Sequence, residues 1–366
     1  MDFRSYLKIS AEEINLELEK FLKGWSREVE KISPKLIFLN QEFVKACEGG
    51  KRLRGALVKL GYEIARSSVV SRQSSDKLKE ILKPAAAFEI FQTAILAHDD
   101  IIDLSPIRRG KSTIFKALGG NHYGISQTIC LGDIGFFLSQ KLISESNFEE
   151  KLKNKALASF ADTFVKTGLG EMLDVEIPHL KKGVSEEDIL TIFKLKTAKY
   201  TISGPMQLGA ILGGGDEKLL KNLEKFGEKL GIAFQIQDDI LGIFGDEETL
   251  GKSVTSDIEE GKVTLLYLYA LENGGKEELE GIYGSKVGLS HFAKASRDKE
   301  GLEKVRKIFK ETGALGYSNK KAEGLVADAK KVIPFLTTNS PSTSLRASQH
   351  RAILSEMADF LVSRSF

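Results

Sequence analysis

Apolar residues recur every three or four positions along most of the chain, which is the period of an amphipathic α-helix. The first such run contains Leu18, Phe21, Leu22, Trp25 and Val29. The same period predicts further helices over residues 36–48, 53–68, 77–103, 125–143, 151–174, 186–210, 217–244, 262–273, 302–310 and 319–337. Glycine-bearing turns separate these segments, and no convincing run of alternating residues predicts a strand. The pattern therefore predicts an all-α protein.

The C-terminal region contains a stretch rich in serine and threonine, and an amphipathic pattern over 351–364 follows it. We expect a mobile segment at about 337–350 and a final helix after it. A bend is expected at Gly204-Pro205, because proline lacks the amide hydrogen that a helical ladder needs. No earlier linker divides the chain, so we expect a single domain over residues 1–366.

Composition and charge narrow the range of partners. The 366 residues are 42% hydrophobic and 28% charged, which is typical of a globular protein. Because 53 basic residues face 51 acidic ones, we expect no binding to nucleic acid. Cys47 and Cys130 are isolated, which argues against a disulfide framework or a zinc site. No signal pattern and no apolar run of membrane-spanning length is found, so we expect a cytoplasmic protein without a transmembrane segment.

Two carboxylate clusters carry the candidate chemistry. The first, Asp99-Asp100-Ile101-Ile102-Asp103, ends a long apolar helix and places Asp99 and Asp103 one turn apart. These like charges repel, and the negative end of the helix dipole adds to the repulsion. The second cluster, Asp238-Asp239, lies in another apolar helix. Hard oxygen ligands of this kind suit magnesium, which commonly joins one or two carboxylates to substrate phosphates.

Basic residues accompany both clusters. A single aspartate pair is more often a solvated helix end, but each pair here is followed by basic, glycine-containing sequence. The basic groups are Arg108-Arg109-Gly110-Lys111 after the first pair, Gly251-Lys252 and Gly261-Lys262 after the second, and Lys51-Arg52-Leu53-Arg54 at a predicted helix start. Carboxylates that can bind a metal are thus followed twice by cationic side chains that can bind phosphate. This combination predicts a site for a metal and a diphosphate.

Eight elements in order extend this pattern over residues 45 to 265. They are GKRLR (50–54), HDDIID (98–103), RRGKST (108–113), LGD (131–133), GEMLD (170–174), KTAKY (196–200), FQIQDD (234–239) and GK…SDIEEGK (251–262). Together they resemble the trans-isoprenyl diphosphate synthase family, which includes farnesyl, geranylgeranyl and longer-chain polyprenyl synthases. The resemblance implies the isoprenoid synthase fold, an antiparallel bundle of long helices around a central cavity, and a homodimer.

The resemblance also implies roles for individual residues. About three Mg²⁺ ions would be bound through carboxylates of Asp99, Asp103 and Asp238. The allylic diphosphate would be held by Arg108, Lys196 and Lys252, with Lys262 nearby. Isopentenyl diphosphate would be held by Lys51, Arg52, Gln92 and Arg109, with help from Arg54. The developing positive charge would be flanked by Thr197 and Gln235, with Tyr200 and Asp239 as second choices.

Three positions depart from the family pattern. Gly242 stands where the second cluster usually has its last aspartate, and Asp246 follows four residues later. Gly55 stands where proline is common, and Glu171 replaces a frequent glutamine. Gly242 weakens the assignment of a full three-carboxylate second cluster, in which Asp238 remains the safest metal ligand. The changes at Gly55 and Glu171 remove no group that the chemistry needs.

The implied reaction is the magnesium-dependent condensation of isopentenyl diphosphate with dimethylallyl, geranyl or farnesyl diphosphate. Product length would depend on what blocks the cavity below Asp99. Ala94 and Ile95 lie roughly 6–8 Å below it, Phe91 about 12 Å and Phe88 about 16 Å. Many farnesyl synthases resemble one another in having an aromatic residue at the place of Ala94 or Ile95. Its absence favours the C20 product, geranylgeranyl diphosphate, with C25 or longer and then C15 as alternatives.

Two other classes of function stay open. A class I terpene cyclase also uses an Asp-rich helix, but its second metal motif is absent from this sequence and it does not need Lys51 and Arg52 for a second diphosphate. A non-catalytic regulatory subunit of a prenyl synthase is the other class. The intact carboxylates and basic loops argue against it.

Overall fold

The computed structural model describes residues 1–67, 79–180, 183–245, 258, 261–280, 282, 299–337 and 345–362. In chain order its helices are α1 (Phe3–Ile32), α2 (Ile37–Ala46), α3 (Leu53–Ser67), α4 (Leu82–Ile102), α5 (Ile114–Ala117), α6 (His122–Ser144), α7 (Glu150–Glu176), α8 (Glu186–Ile192), α9 (Gly204–Leu212), α10 (Glu217–Phe244), α11 (Leu265–Ala270), α12 (Lys276–Glu280), α13 (Lys299–Glu311), α14 (Ala314–Lys330), α15 (Ile333–Leu336) and α16 (Leu345–Val362). Short 3₁₀ turns span Pro34–Leu36 and Ile177–His179, and π-helical turns span Phe193–Ser203 and Leu271–Gly275. The all-α prediction is confirmed.

Two local features differ from the predicted pattern. A short antiparallel hairpin pairs β1 (Ile107–Arg108) with β2 (Lys111–Ser112), with Arg108 opposite Lys111. Strands this short have no periodicity that a sequence pattern can detect. The last helix begins at Leu345, six residues before the predicted start at 351. Residues 338–344 of the predicted mobile segment lie outside the described residues.

The chain divides into two compact units. Unit 1 comprises residues 1–162, 204–224 and 333–356, and unit 2 comprises residues 163–203, 225–332 and 357–366. The expectation of a single domain over 1–366 stays a prediction. Among the described helices, none is long and apolar enough to cross a membrane.

Unit 1 is built around α4. This helix packs against α3 and α6, while α9 packs along α3 and α1 covers both α3 and α4. The contact between α3 and α9 is close because Gly61 and Gly209 face it. A side-chain carbon on Gly61 would overlap the backbone of Met206, and one on Gly209 would overlap the backbone of Val58. Glycine at these positions lets the two backbones approach and fixes the direction of α3, which begins beside the GKRLR segment.

Unit 2 has its own apolar core, contributed by α8, α10, α11, α13 and α14, with Ile192, Phe193, Ile236, Ile240, Leu265 and Phe309 among its buried residues. At Gly204-Pro205, where the sequence predicts a bend, the helical pairing changes: the eleven residues before it are π-helical and α9 begins at Gly204. The bend itself stays a prediction. Proline has no amide hydrogen, so ordinary i→i−4 pairing cannot continue through it. Single π-helical stretches inside helices are frequent at functional sites. This one contains Lys196 and Thr197.

Candidate functional site

The first carboxylate cluster lies at the C-terminal end of α4. Asp99 and Asp103 are half-buried, while Asp100 between them is buried, at 5% exposed. Arg108 of the hairpin reaches back to this end. Its Nη2 donates to Asp99 Oδ2 at 2.7 Å, and its Nε donates to Asp100 Oδ1 at 2.6 Å. The cation predicted to hold a diphosphate therefore partly neutralises the cluster in this structure.

Burial and charge act in opposite directions on these groups. Burial raises the pKa of Asp100 to about 6, and the neighbouring Arg108 offsets only part of this rise. For Arg108, burial lowers the pKa, but the negative charges of Asp99 and Asp100 outweigh it, so the net shift is upward. A cation at this helix end is therefore strongly favoured, as the predicted metal site requires.

The loop before α3 and the hairpin lie side by side. Gly49, Gly50 and Arg52 all have positive φ, at 71°, 84° and 52°. A side-chain carbon on Gly50 would lie 2.9 Å from Nη1 of Arg109, so the Arg109 guanidinium lies directly against the loop. Lys111 adds an exposed ion pair with Glu48 at 3.5 Å. The structure thus places Arg109 against Gly50, the residue that precedes Lys51 on this loop.

Arg52 is turned away from this basic group. Its side chain is only 6% exposed, and each of its three nitrogens faces a protein acceptor. Nε donates to Asn15 Oδ1 at 2.6 Å, Nη2 donates to the Cys47 carbonyl at 2.7 Å, and Nη1 lies 3.6 Å from Glu89 Oε2. The placement of this side chain argues against the predicted contact between Arg52 and isopentenyl diphosphate.

The other residues predicted to hold isopentenyl diphosphate are placed differently. Lys51 is exposed, and Arg54 and Gln92 are half-buried. Glu89 lies one turn before Gln92 on α4 and is almost fully buried. The Arg52–Glu89 contact was not predicted from the sequence. Its only signal was an acidic residue inside an otherwise apolar helix.

The second cluster lies on α10 and repeats the arrangement of the first. Asp238 is half-buried, while Asp239 is buried in a polar chain. Gln235 Nε2 and Lys262 Nζ both donate to Asp239 Oδ1, at 2.9 and 3.0 Å. Thr197 in turn donates to Gln235 Oε1 at 2.6 Å. Asp239 thus holds the side chains of Gln235 and Lys262 in position, and Asp238 is the more open of the two carboxylates.

Lys196 is held by two carboxylates of α7. Its Nζ lies 2.7 Å from Asp174 Oδ2 and 2.8 Å from Glu171 Oε2. These partners belong to the GEMLD element, but no site role was predicted for either one. Their three-residue spacing on a helix was the signal, because it puts both on one face. Lys252 and Asp246 lie outside the described residues.

The four residues predicted to control product length lie on α4, and two of them belong to an aromatic cluster. Phe88 and Phe91 are fully buried, and their rings lie 5.2 and 4.7 Å from that of Phe160. Ala94 is also buried. A side-chain carbon on Gly135 of α6 would lie 2.8 Å from Ala94 Cβ, so the small size of Ala94 also serves helix packing. Ile95 is half-buried. The role of all four in product length stays a prediction.

The donor chemistry of both clusters fits magnesium. Asp99, Asp103 and Asp238 offer carboxylate oxygens that are neither fully buried nor fully exposed. In the described part of the chain, no three histidine, cysteine, aspartate or glutamate side chains are arranged to hold a metal ion by themselves. Magnesium keeps several bound waters and takes few protein ligands alongside substrate phosphates. One or two carboxylates per ion therefore match its usual coordination.

Comparisons with a family profile and with known proteins all match this chain to the same protein family. The Polyprenyl synthetase family profile matches residues 38–297. The chain is 33% identical to the short chain isoprenyl diphosphate synthase of Methanothermobacter thermautotrophicus, over 86% of this chain and 87% of that protein. It is 29% identical to the geranylgeranyl diphosphate synthase of Methanosarcina mazei, over 87% of this chain and 87% of that protein. It is 28% identical to the geranylfarnesyl diphosphate synthase of Aeropyrum pernix, over 86% of this chain and 91% of that protein.

A solved structure gives the same answer for the fold. The geranylgeranyl pyrophosphate synthase of Corynebacterium glutamicum, complexed with isoprenyl diphosphate and magnesium, is 25% identical. The match has a TM-score of 0.84 and covers 100% of both chains. The ordered motifs, the carboxylate clusters and these matches have one explanation: the chain has the isoprenoid synthase fold and belongs to the polyprenyl synthetase family of prenyltransferases.

Proposed function

We propose that this protein condenses isopentenyl diphosphate with allylic diphosphates to make all-trans geranylgeranyl diphosphate, the C20 product. The observation that carries the proposal is the paired arrangement of acid and base. Asp99 and Asp103 end α4 beside Arg108. In unit 2, Asp238 adjoins Asp239, which binds Lys262, and Lys196 adjoins Thr197, which binds Gln235 on α10. Carboxylates for a metal and cations for a diphosphate are what this reaction needs.

In unit 1, we assign Asp99 and Asp103 to Mg²⁺ and Arg108 to the allylic diphosphate. Arg108 donates to Asp99 Oδ2, so a metal ion bound to that oxygen would displace the guanidinium and leave it to bind phosphate oxygens. Lys51, Arg54, Gln92 and Arg109 are assigned to isopentenyl diphosphate. Arg52 is left out of this set because its guanidinium is occupied by protein acceptors.

In unit 2, we assign Asp238 to Mg²⁺ and Lys196, Lys252 and Lys262 to the allylic diphosphate. Phosphate oxygens at Lys196 would compete with Glu171 and Asp174 for the same ammonium, so the affinity of Lys196 for the allylic diphosphate depends on those carboxylates. Thr197 and Gln235 are hydrogen-bonded to each other, so their oxygen atoms are held in place to stabilise the developing cation.

Bound magnesium supplies Lewis acidity that draws electron density onto the allylic diphosphate. The basic side chains stabilise the diphosphate as its bond to the allylic carbon breaks. The double bond of isopentenyl diphosphate then attacks the allylic cation at near-attack distance. The departing diphosphate accepts the proton whose loss forms the new double bond. No side-chain nucleophile takes part.

The C20 assignment rests on the absence of an aromatic residue at positions 94 and 95 and on the buried Phe88 and Phe91 further along α4. Relatives of similar identity carry both C20 and C25 names, so identity alone does not distinguish the products. A floor of two phenylalanines about 12–16 Å from the carboxylates favours C20 over C15.

The test incubates purified protein with Mg²⁺, isopentenyl diphosphate and dimethylallyl, geranyl or farnesyl diphosphate, and sizes the dephosphorylated products by chromatography. We expect mainly the C20 alcohol, and longer products from Phe91→Ala. Phe309→Ala removes an equally buried ring from the core of unit 2 and should leave product length unchanged. A C15 or C25 product from the wild type would refute the C20 assignment, and no product from any primer would refute the synthase assignment.

We also propose that two copies of the chain associate through α6. Three of the exposed large apolar side chains of this helix share one face: Tyr123, Ile134 and Phe137, the last 70% exposed. Their spacing of eleven and three residues keeps them on one side of a 3.6-residue helix. Adjacent exposed apolar groups on one helix face are typical of an interface between subunits.

A further inference from the structure

Arg52 is the first residue of the turn that begins α3. Its carbonyl accepts the amide hydrogen of Ala56, so Arg52 occupies the N-cap position. An arginine side chain has no acceptor and cannot cap the free amides of that turn. Helix α4 supplies the missing acceptor, because Glu89 Oε1 accepts the amide hydrogen of Gly55 at 2.8 Å. A negative carboxylate is also favoured at the positive end of a helix.

The sequence allows this cap only because residue 55 is glycine. A side-chain carbon there would lie 2.8 Å from Ile14 Cδ1 and 2.9 Å from the carbonyl of Ala85, so glycine permits the close approach. Proline, which is common at this place in the family, would have no amide hydrogen for Glu89 to accept. Gly55 and Glu89 are therefore matched in this chain.

The loop before α3 needs such support. Arg52 has φ of 52°, in the left-handed region that disfavours residues with a side chain. Such a conformation persists only where surrounding contacts impose it. Asn15 from α1, the Cys47 carbonyl and Glu89 from α4 impose it here through the Arg52 guanidinium.

The loop before α3 carries basic residues that we assign to isopentenyl diphosphate. Lys51 and Arg54 flank Arg52 in sequence, and the Arg109 guanidinium lies against Gly50. Fixing the backbone at Arg52 therefore fixes where the Lys51 ammonium and the Arg54 guanidinium can reach. We propose that Asn15 and Glu89 are positioning residues for the isopentenyl diphosphate site and act through Arg52. The inference rests on the proposed function and names the groups that build one of its two substrate sites.

The experiment compares Asn15→Leu, which keeps the size and removes the acceptor, with Asn15→Asp, which keeps an acceptor. Glu89→Gln keeps an acceptor for the Gly55 amide and removes the charge that faces Arg52. Glu63→Gln is the control, because it removes another poorly exposed carboxylate of unit 1 from α3, outside the loop. For each variant, KM for isopentenyl diphosphate and for geranyl diphosphate, kcat, the calorimetric Kd for isopentenyl diphosphate and the thermal midpoint are measured.

We expect Asn15→Leu and Glu89→Gln to raise KM and Kd for isopentenyl diphosphate by about tenfold, because small displacements of binding groups have large effects. KM for geranyl diphosphate should change less than about twofold, Asn15→Asp should recover most of the loss, and Glu63→Gln should leave both KM values unchanged. A lower thermal midpoint without a selective change in KM and Kd would overturn the proposal and leave a purely structural network. Unchanged Kd in Asn15→Leu combined with a large loss in Arg52→Lys would also overturn it, because Arg52 would then contact the substrate directly. Failure of the wild type to bind or turn over isopentenyl diphosphate would instead refute the proposed function.

Discussion

Gly227 lies where α10 crosses the π-helical segment Phe193–Ser203, and its replacement by alanine tests this contact. The added carbon would lie 2.6 Å from Cβ of Ser203 and 2.7 Å from both its Cα and its amide nitrogen. Carbon atoms normally approach no closer than about 3.5 Å, so the segments would have to separate by roughly 1 Å. Two of the three atoms belong to the backbone and cannot rotate away.

Overpacking of this kind costs about 1–3 kcal/mol, and three simultaneous overlaps place Gly227→Ala at the upper end. Alanine regains about 1 kcal/mol in helix propensity, so a net loss of about 2 kcal/mol is expected. The matched control is Gly324→Ala on α14, where the added carbon meets nothing within 4 Å. That variant should gain about 0.5–1 kcal/mol because only the propensity term acts.

Urea unfolding followed by far-ultraviolet circular dichroism measures both changes. With an m-value of about 3 kcal/mol/M or more for a chain of this size, the Gly227→Ala midpoint should fall by up to about 0.7 M and the Gly324→Ala midpoint should rise by about 0.2–0.3 M. Gly227→Ala should also lower kcat by about tenfold or more, because separation of α10 disturbs the Thr197–Gln235 hydrogen bond. If Gly227→Ala were as stable as the wild type, the close contact described between the two segments would be wrong.

Three further outcomes are expected. Burial lowers the pKa of His350 to about 4, below the value of about 6.5 in the unfolded chain, so the stability contributed by its neutral form is complete above about pH 6.5 and is lost as the pH falls toward 4. Between pH 7.5 and pH 5, the unfolding free energy of the wild type should therefore fall by about 2 kcal/mol more than that of His350→Asn. Equal losses would contradict the lowered pKa. Glu171→Gln removes one of the two charges that hold Lys196 and should lower KM for the allylic diphosphate about two- to fivefold, as a partly exposed ion pair allows; an unchanged KM would show that this pair does not compete with substrate. Phe137→Glu should convert a dimer to monomers in sedimentation velocity, whereas Leu16→Glu, at an exposed position on α1, should not; a monomeric wild type would refute the proposed interface.

Much of the arrangement of the candidate site was predictable because it depends on local spacing. Asp99 and Asp103 had to share one face of a helix, since residues four apart always do. The bounds of α10 were predicted over 217–244 and the structure has the same bounds, because its apolar period is continuous. The carboxylates that are more open, Asp99 and Asp103 in the first cluster and Asp238 in the second, were also the predicted ligands.

The sequence did not predict which basic side chains are buried by protein contacts. Arg52 and Arg54 are both arginines in one basic run, and nothing in their spacing tells which guanidinium turns inward. Asn15, Cys47 and Glu89 decide it, and they come from three separate segments of the chain. The role of Glu171 is similar, because a single acidic residue has no partner until α7 is packed against the segment that carries Lys196.

The sequence by itself determined the helical class, the family and the inventory of acid and base, because each follows from short-range periodicity or from motifs in fixed order. Tertiary structure alone decided the π-helical form of Phe193–Ser203, the contact of Gly227 with Ser203 and the inward turn of Arg52. The physical reason is that these features depend on burial and on contacts between residues distant in sequence. A local pattern records which groups are present, and only packing determines which of them remain available to a substrate.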